Sequence, residues 1–483
     1  MSFRRSLGLF DSTMIVAGSM IGSGVFIVSA DVARTVGSPG ILLVVWLITG
    51  LMTLIAALTY GELAGMFPHA GGQYVYLRET FGRLPGFLYG WTLFTVIQTG
   101  TIAAVGMAFA KYTGQLFPLV SESNVLISLG PLTVNSVQVL AISSIVYLTA
   151  LNARGVALGK VIQNVFTSTK IISVVAIAVA GLVYGFSSGA ISLDMTTLWT
   201  DSITPLLPQL SEKQLQDYGF TSRMGMPFLA AIAVAMVGTI FSSDAWNNIT
   251  FAAAEVQEPT KTIPRALTIG VVLVTVLYLL TNLAFITVMP IGINPDSLSA
   301  FERGIAFATT DRVGAAAAEV MFGLSGAAIM ALLIMVSTFG CNNGIILSGS
   351  RAYYAMAQDK LFFAKAAELN ENGVPSYSLW MQALWACVLC LSGKYGNLLD
   401  YVVFAVLLFY ITTVLGVFKL RRTHPDLPRP IKAIGYPILP ALYVIAAAAI
   451  CIALLVYKPN YSWPGLVIVA IGIPVYFIWN RKR

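Results

Sequence analysis

Apolar residues occur along the whole chain in long runs that short polar segments separate. A helix of about 20 apolar residues is long enough to cross the hydrocarbon core of a bilayer. The pattern predicts twelve membrane-spanning helices, near residues 10–34, 40–65, 85–112, 133–152, 160–184, 227–254, 266–290, 314–340, 377–393, 398–419, 434–457 and 463–480. The eighth is expected to continue as a helix to residue 357. We therefore expect an all-α integral membrane protein.

Two of these spans, the first and the sixth, are interrupted near their middle. The first contains IGSGVF (21–26) and the sixth contains FSSDAWNN (241–248). In lipid, backbone groups that an interruption frees must be satisfied inside the protein. The interrupted spans begin two sets of five, 10–184 and 227–419, and an odd number per set inverts the second repeat. Such paired interruptions indicate a transporter binding site near the membrane midplane.

Composition and charge agree with a single membrane domain over residues 1–483. The chain is 57% hydrophobic and 10% charged, and the spans near 434–480 add two helices outside the repeats. With the N-terminus inside, the inward loops carry about twice as many lysines and arginines as the outward ones, so both termini are expected to be cytoplasmic. The net charge of +7 is attributed to these loops and not to nucleic-acid binding.

The first interruption offers backbone donors. The N–H groups of Ser23, Gly24 and Val25 would start the second half-helix, whose positive dipole end favours a carboxylate. Small residues also let a ligand approach the backbone closely. A packing face is the alternative, because Gly18 and Gly22 form a G-x-x-x-G motif. The matching interruption in the sixth span favours a binding site.

The second interruption offers acceptors. Asp244 is an acid inside an apolar span, and such residues are expensive in a membrane and commonly functional. Carbonyl groups freed at Phe241, Ser242 and Asp244 would accept from an ammonium group. An α-amino acid therefore fits the two interruptions together. Phe241 is either a lid over the ligand or a packing residue.

Lys170 is the only base that lies in the hydrophobic core of a predicted span rather than at its end. It lies about ten residues, or roughly 15 Å, inside the start of the fifth span. This depth disfavours the alternative that its ammonium group reaches the membrane surface. A fixed ammonium there would replace a bound monovalent cation, contacting carbonyls of the first span and the span-eight hydroxyls of Ser337 or Thr338.

The sequence offers few side chains that could bind a metal or a cofactor. The two histidines, His69 and His424, lie in predicted loops, and all four cysteines lie in apolar segments. We therefore expect no metal site and no cofactor. Three glutamates at cytoplasmic helix ends, Glu62, Glu255 and Glu258, are either solvated or paired with bases such as Arg78, Lys261 and Arg265.

Several motifs resemble the amino acid–polyamine–organocation superfamily, and within it the L-type amino acid transporter family. They are IGSGVF in the first span, ELAGMFPHAGGQYVYLRETFG after the second, FTSTK in the fifth, FSSDAWNNITFAAAEVQEPTKTIPRAL at the sixth, STFGCNNGIILSGSRAYYAMAQD in the eighth and THPDLPRPIKAIGYPILP before the eleventh. The resemblance covers nearly the whole chain.

The resemblance implies a LeuT-type fold of five plus five inverted helices and alternating access. It implies sodium-independent exchange or facilitated uptake of amino acids across the plasma membrane. The substrate carboxylate would meet the backbone at Ser23 and Gly24. Its ammonium group would meet carbonyls contributed by both interruptions, namely those of Met20 or Ile21 and of Phe241, Ser242 and Asp244. Lys170 matches the family lysine that stands in for a sodium ion.

Two departures from the family pattern affect the expected substrate and partner. The position of Asp244 is glycine in many members that take large neutral amino acids, and an acid there resembles members that also accept cationic substrates. Ser243 and Ala245 differ as well, which leaves the pocket size open. The loop after the third span has no cysteine. This favours a stand-alone bacterial protein of the inner membrane, without a disulfide-linked heavy chain.

Other functions remain as alternatives. A proton-coupled symporter or a polyamine or diamine antiporter on the same fold would use Asp244 as its proton-carrying acid or as its second ammonium site. An intramembrane enzyme would need paired acids or a histidine–metal cluster, and the sequence offers neither. A channel is disfavoured because no ring of filter residues recurs between the halves.

Overall fold

The computed structural model of the chain describes residues 3–129, 132–189, 195–220, 225–392 and 395–481, and it is predominantly helical. The first half contains eight α-helices: α1 (Leu9–Met20), α2 (Ser29–Val36), α3 (Pro39–Met66), α4 (Gln73–Phe81), α5 (Arg83–Thr92), α6 (Gln98–Leu116), α7 (Ser136–Ala153) and α8 (Val156–Ser188). A π-helical segment, Leu93–Ile97, joins α5 to α6. An antiparallel ribbon of β1 (Val125–Leu129) and β2 (Leu132–Asn135) precedes α7.

The second half follows two short helices, α9 (Met195–Trp199) and α10 (Glu212–Asp217). It contains α11 (Phe228–Ser242), α12 (Asn248–Phe251), α13 (Pro259–Val288), α14 (Ala300–Arg303), α15 (Val313–Phe322), α16 (Leu324–Gln358), α17 (Ser376–Leu391) and α18 (Tyr395–Thr423). The chain then continues with α19 (Ile438–Tyr457) and α20 (Pro459–Arg481).

Nine helices within the described residues are long and apolar enough to cross a membrane. They include α3, the continuous helix Arg83–Leu116, α7, α8, α13, α16 and the three helical stretches Val402–Thr423, Ile438–Tyr457 and Ser462–Arg481. The predicted first, sixth and ninth spans contain the shorter apolar helices α1, α11 and α17. The chain is therefore an all-α protein with many potential spans.

The eighth predicted span begins later than the apolar pattern indicated. The pattern placed its start near residue 314, but the structure forms a separate helix there, α15, and begins α16 at Leu324. Between them Gly323 adopts φ 70°, a left-handed conformation that glycine reaches without a steric penalty. The apolar run continues across this turn, which is why hydrophobicity alone gave the wrong boundary.

Both expected interruptions are present. Helix α1 ends at Met20 and the chain becomes helical again at Gly24, while α11 ends at Ser242 and α12 begins at Asn248. Helices α8, α13 and α16 pack around α1 and hold it at the centre of the bundle. The close approach depends on small residues, because a β-carbon at Gly18 would overlap the side chains of Gln163 and Thr167 on α8.

Candidate functional site

The first interruption leaves backbone donors without acceptors. After Met20 the chain is extended at Ile21, where φ is −75° and ψ is 96°, before a short 3-10 turn over Gly24–Phe26. Among the described residues, no acceptor contacts the N–H groups of Ser23, Gly24 and Val25. Ser23 and Gly24 are half-buried. Free N–H groups at the start of a helical turn suit an anion.

The second interruption leaves backbone acceptors instead. Ser243 follows the last residue of α11, and Ala245 adopts φ 62°, a left-handed conformation that costs a residue with a side chain about 1–2 kcal/mol. Within the described part of the chain, the carbonyl groups of Ser243 and Asp244 accept no hydrogen bond. The carbonyl of Phe241, which was expected to be free, instead accepts from the N–H group of Asp244 at 3.2 Å. Carbonyl oxygens without a donor, at an unwound part of a helix, can accept from an ammonium group or bind a cation.

The two interruptions lie against each other. A β-carbon built on Gly24 would lie 2.7 Å from the Cβ of Ser242 and 3.1 Å from its Cα, so only glycine fits there without displacement. A donor-bearing backbone segment and an acceptor-bearing one therefore meet at one place in the bundle. Phe241 is half-buried beside this junction and packs against the core.

Tyr278 on α13 joins the two interruptions directly. Its hydroxyl lies 3.0 Å from the carbonyl oxygen of Met20 and 3.0 Å from that of Ser242. Its ring packs edge-on against Trp46, and the side chain is almost fully buried. We did not single out Tyr278 from the sequence. The available signal was a tyrosine within an apolar span, whose hydroxyl needs a partner when buried.

Lys170 extends from α8 to the end of α1 and is 1% exposed. Its ammonium group donates to the carbonyl of Gly18 and to that of Ile21 at 2.7 Å, and it lies 3.5 Å from the carbonyl oxygen of Ser337. An ammonium group has three donors and no acceptor, so the three carbonyl oxygens account for its hydrogen-bonding capacity. Lys170 thus cross-links α1, α8 and α16.

The two candidate hydroxyls on α16 behave differently. The hydroxyl of Ser337 lies 3.0 Å from the carbonyl oxygen of Gly22 and 3.2 Å from that of Ile21, so it contacts the first interruption. The hydroxyl of Thr338 donates within its own helix, to the carbonyl of Ile334 at 2.8 Å. Only Ser337 of the pair contacts the first interruption through its hydroxyl in this structure.

Further side chains hold the backbone of α1. Gln163 and Thr167 on α8 both donate to the carbonyl of Met14 at 3.3 Å. The thiol of Cys341 on α16 donates to the carbonyl of Ser19 at 3.1 Å. Carbonyls near the end of a helix lack partners within it. Ser19 has such a carbonyl, and Cys341 supplies its partner. Met14 lies in the middle of α1, so the bonds from Gln163 and Thr167 tie α1 to α8 without capping its end.

Asp244 faces α18 rather than the first interruption. Tyr410 donates a hydrogen bond of 2.5 Å to its carboxylate, and the Tyr410 ring packs against Tyr60 and Trp246. Asp244 lines two cavities of about 20 Å³ each. Each has room for about one water molecule. The space beside this acid in this structure is too small for an amino acid side chain.

Two buried or partly buried ion pairs lie near opposite ends of the bundle. Near one end the guanidinium group of Arg34 contacts Asp311 at 2.6 Å and donates to the carbonyl of Ala306 at 2.9 Å. Near the other end Arg351 pairs with Glu255 at 2.9 Å, and both side chains are almost completely buried. The central junction therefore lies between two sets of charged contacts.

The partners expected for the glutamates were wrong in two of three cases. Glu62 pairs with Arg421 at 2.6 Å and Glu255 pairs with Arg351, and neither arginine was among the expected bases. Glu258 does pair with one of them, Lys261, at 3.2 Å, on the exposed surface. The correct partners of Glu62 and Glu255 come from helices distant in sequence, which local spacing does not indicate.

No cluster of three or more histidine, cysteine or acidic side chains is found in the described ranges. The four cysteines are free thiols. Within those ranges, the polar groups of the site are backbone N–H and carbonyl groups, hydroxyls, one ammonium group and one carboxylate. This donor set can bind a small zwitterion.

Comparison with known proteins identifies the class of molecule. A family profile described as "Amino acid permease" matches residues 7–478. The chain is 29% identical to "Large neutral amino acids transporter small subunit 2" of Mus musculus over 486 residues, which cover 100% of this chain and 82% of that protein.

Two further relatives are similar over their length. "b(0,+)-type amino acid transporter 1" of Mus musculus is 27% identical, with 99% of this chain and 88% of that protein covered. "Asc-type amino acid transporter 1" of the same organism is 28% identical, with 100% and 83% covered. The relatives are transporters and not enzymes, so the expectation of a non-enzymatic amino acid transporter in a membrane is supported.

The contact between the interruptions predicts different tolerances for two neighbouring glycines. Gly24→Ala should destabilise the protein by about 1–3 kcal/mol, because the new methyl group overlaps Ser242. Gly22→Ala is the matched control, since its β-carbon would meet only the sulfur of Cys341 at 3.5 Å, an ordinary contact. Thermal unfolding of the purified variants, followed by tryptophan fluorescence, measures both. Equal melting temperatures for the two variants would contradict the described contact.

Proposed function

Because the chain belongs to the amino acid permease family, we propose that it moves L-amino acids across the plasma membrane by alternating access, without sodium, as an exchanger or by facilitated uptake. The observation that carries this proposal is the junction of two interrupted helices, one with free N–H groups and one with free carbonyl groups. A zwitterionic α-amino acid complements both. The rest of its surface would contact side chains that determine specificity.

We propose a LeuT-type architecture of twelve spans for this transporter. Residues 10–184 would form one five-helix repeat, 227–419 its inverted counterpart and 434–480 two additional helices. Support comes from the interruptions after α1 and α11, which fall in the first and sixth predicted spans. The distribution of basic residues favours cytoplasmic termini in an inner membrane.

The substrate carboxylate would accept hydrogen bonds from the N–H groups of Ser23, Gly24 and Val25. Its ammonium group would donate to carbonyls on both sides of the junction, taken from Met20, Ile21, Phe241, Ser242 and Asp244. Tyr278 already contacts the Met20 and Ser242 oxygens. The tyrosine would hold these carbonyls in position when the site is empty, and the arriving ammonium group would share them.

Lys170 would serve in place of a coupling cation. In related folds a sodium ion is held by carbonyl oxygens of an unwound helix. The ammonium group of Lys170 donates to oxygens of this kind at Gly18 and Ile21, with Ser337 beside it. A permanently attached cation makes the contacts independent of sodium. Thr338 could join this shell only after its hydroxyl rotates away from its own helix.

Asp244 would govern the side-chain end of the substrate. Its carboxylate at the second interruption would attract a cationic or small polar side chain, once the small cavities that it lines with residues of α18 widen. The hydrogen bond from Tyr410 also fits a second candidate function, a proton-coupled symporter or a polyamine antiporter. In that case Asp244 would carry a proton or bind a second ammonium group.

We propose that the transporter works without a disulfide-linked heavy chain. One relative is named a small subunit, which implies a larger partner for that protein. Here the segment between α6 and α7 contains no cysteine, and the four cysteines of the chain lie in or near predicted spans instead. An intermolecular disulfide from this loop is therefore chemically excluded.

Reconstitution into proteoliposomes tests the function and separates its variants. We expect uptake of radiolabelled L-amino acid that is unchanged when potassium replaces sodium, and that increases when unlabelled amino acid is present inside. Uptake that instead follows an imposed proton gradient, with no effect of internal substrate, would favour the proton-coupled alternative. Absence of uptake for all amino acids, with a polyamine transported, would contradict the proposed substrate class.

Lys170→Ala should reduce transport by about tenfold or more, because the carbonyl groups of Gly18 and Ile21 lose their shared cation. Uptake into proteoliposomes and monodispersity in size-exclusion chromatography are measured together. Lys261→Ala, which removes an exposed ammonium group, serves as the control and should transport normally. Near-normal exchange by a well-folded Lys170→Ala protein would remove the cation-substitute role.

Asp244→Gly should shift preference from cationic or small polar substrates toward neutral ones, because the carboxylate that attracts a positive side chain is lost. Asp244→Asn, which keeps the volume and removes the charge, should give the same direction of change if charge is the cause. Competition of labelled uptake by a panel of amino acids gives the profile. An unchanged profile in both variants would place Asp244 outside the substrate pocket.

A further inference from the structure

A basic pocket lies at the end of α18, outside the site described above. Its volume is about 400 Å³, and it is lined by Arg421, Arg429, Lys432, Pro425 and Leu427. Three of these five residues are cationic. The other two are apolar and lie in the segment that connects α18 to α19. We refer to it as the basic pocket.

Charge in the basic pocket is only partly compensated. The buried carboxylate of Glu62 accepts from Arg421 at 2.9 and 2.6 Å and lies 3.4 Å from the guanidinium group of Arg429. One carboxylate therefore compensates the charge of two guanidinium groups only in part. Lys432 is exposed, and no ion pair to it is present among the described residues. The excess of about two positive charges favours an anionic ligand.

The cations of the basic pocket are held in place by the protein itself. The guanidinium group of Arg429 donates to the carbonyls of Pro425 at 2.8 Å, Leu427 at 2.9 Å and Leu420 at 3.0 Å. The guanidinium carbon of Arg421 lies 3.8 Å from the centre of the Tyr436 ring. The pocket is thus built before any ligand arrives, which lowers the entropic cost of binding.

The position of the basic pocket relative to the apolar surface indicates which anion it meets. Helix α19, a candidate membrane span, starts at Ile438, six residues after Lys432. Ile434 and Ile438 are 66% and 67% exposed, and Leu427 is 36% exposed. Large exposed aliphatic side chains at the start of a span are expected to face lipid. The bases therefore lie at the depth of the phospholipid headgroups.

We propose that the basic pocket binds the phosphate group of an anionic phospholipid. Phosphate oxygens would accept from Lys432 and from the accessible edge of Arg421, whose planar group matches phosphate geometry. The aliphatic surfaces of Pro425 and Leu427 would contact the glycerol and upper acyl carbons. Basic pockets between helices at a membrane surface bind lipid headgroups in this way.

Occupancy of the basic pocket would bear on the contact between two helices. Glu62 belongs to α3, whereas Arg421 belongs to α18, so the ion pair joins these helices at one end of the bundle. A bound phosphate would share the guanidinium group of Arg421 with Glu62, which weakens the attraction between that group and Glu62. The lipid would thereby influence how firmly α3 is held against α18, independently of which substrate is transported.

The test compares lipid binding by purified full-length variants. Native mass spectrometry in detergent gives the number of phosphatidylglycerol molecules bound, with phosphatidylcholine as the neutral lipid. Lys432→Gln should weaken phosphatidylglycerol binding about fivefold, since one base near a membrane surface contributes about that much. Lys432→Arg should restore it. Because Lys432 is exposed, none of these changes should alter thermal unfolding.

Arg265→Gln is the matched control. Arg265 is exposed near the start of α13. Thr260, also near the start of α13, and Pro430, next to Arg429, both lie near Gly65, so Arg265 is at the same end of the bundle as the basic pocket. Its removal should leave phosphatidylglycerol binding unchanged. Equal losses for Lys432→Gln and Arg265→Gln, or no loss for either, would overturn the proposal.

A competition arm separates a lipid from a soluble source of phosphate. Inorganic phosphate is added at about 100 times the lipid concentration. It should displace little phosphatidylglycerol, because the acyl and glycerol contacts of the lipid also contribute to binding. Complete displacement of the lipid by inorganic phosphate would show that the pocket serves a free anion, and it would overturn the lipid assignment.

Discussion

The structure depends on how the backbone at the end of α1 is satisfied without water. Breaking a helix inside a membrane frees carbonyl groups that cost several kcal/mol each if left unpaired. Here Lys170 takes those of Gly18 and Ile21, while Tyr278 reaches that of Met20 and Ser337 that of Gly22. Three helices therefore stabilise one interruption, and its N–H groups remain free for a ligand.

Contacts of the segment before α1 connect the centre of the bundle to one of its ends. The segment before α1 donates from Ser6 and Leu7 to the carbonyl of Glu255, whose side chain pairs with Arg351. Removing one partner of a buried ion pair costs about 3–5 kcal/mol. These contacts therefore join the start of the first interrupted helix to the segment that follows the second one, at one end of the bundle.

The sequence alone identifies polar, charged and small residues that interrupt an apolar span. The glycine and serine run of the first span, Asp244 and Lys170 each contrast with apolar neighbours, so all three were identifiable. Tyr278 and Tyr410 were missed because tyrosine is common in membrane helices and its hydroxyl partner depends on packing. The pairing of Glu62 with Arg421 joins residues 359 positions apart, and only the folded chain brings them together. The turn at Gly323 was hidden inside a continuous apolar run.

The most direct test of the central claim is a cryo-electron microscopy structure of the protein with a transported amino acid bound. The account predicts ligand density at the junction of the interruptions, with a carboxylate oxygen within about 3 Å of the backbone nitrogen of Ser23, Gly24 or Val25. Density for the amino acid elsewhere, with these N–H groups still unengaged, would contradict it.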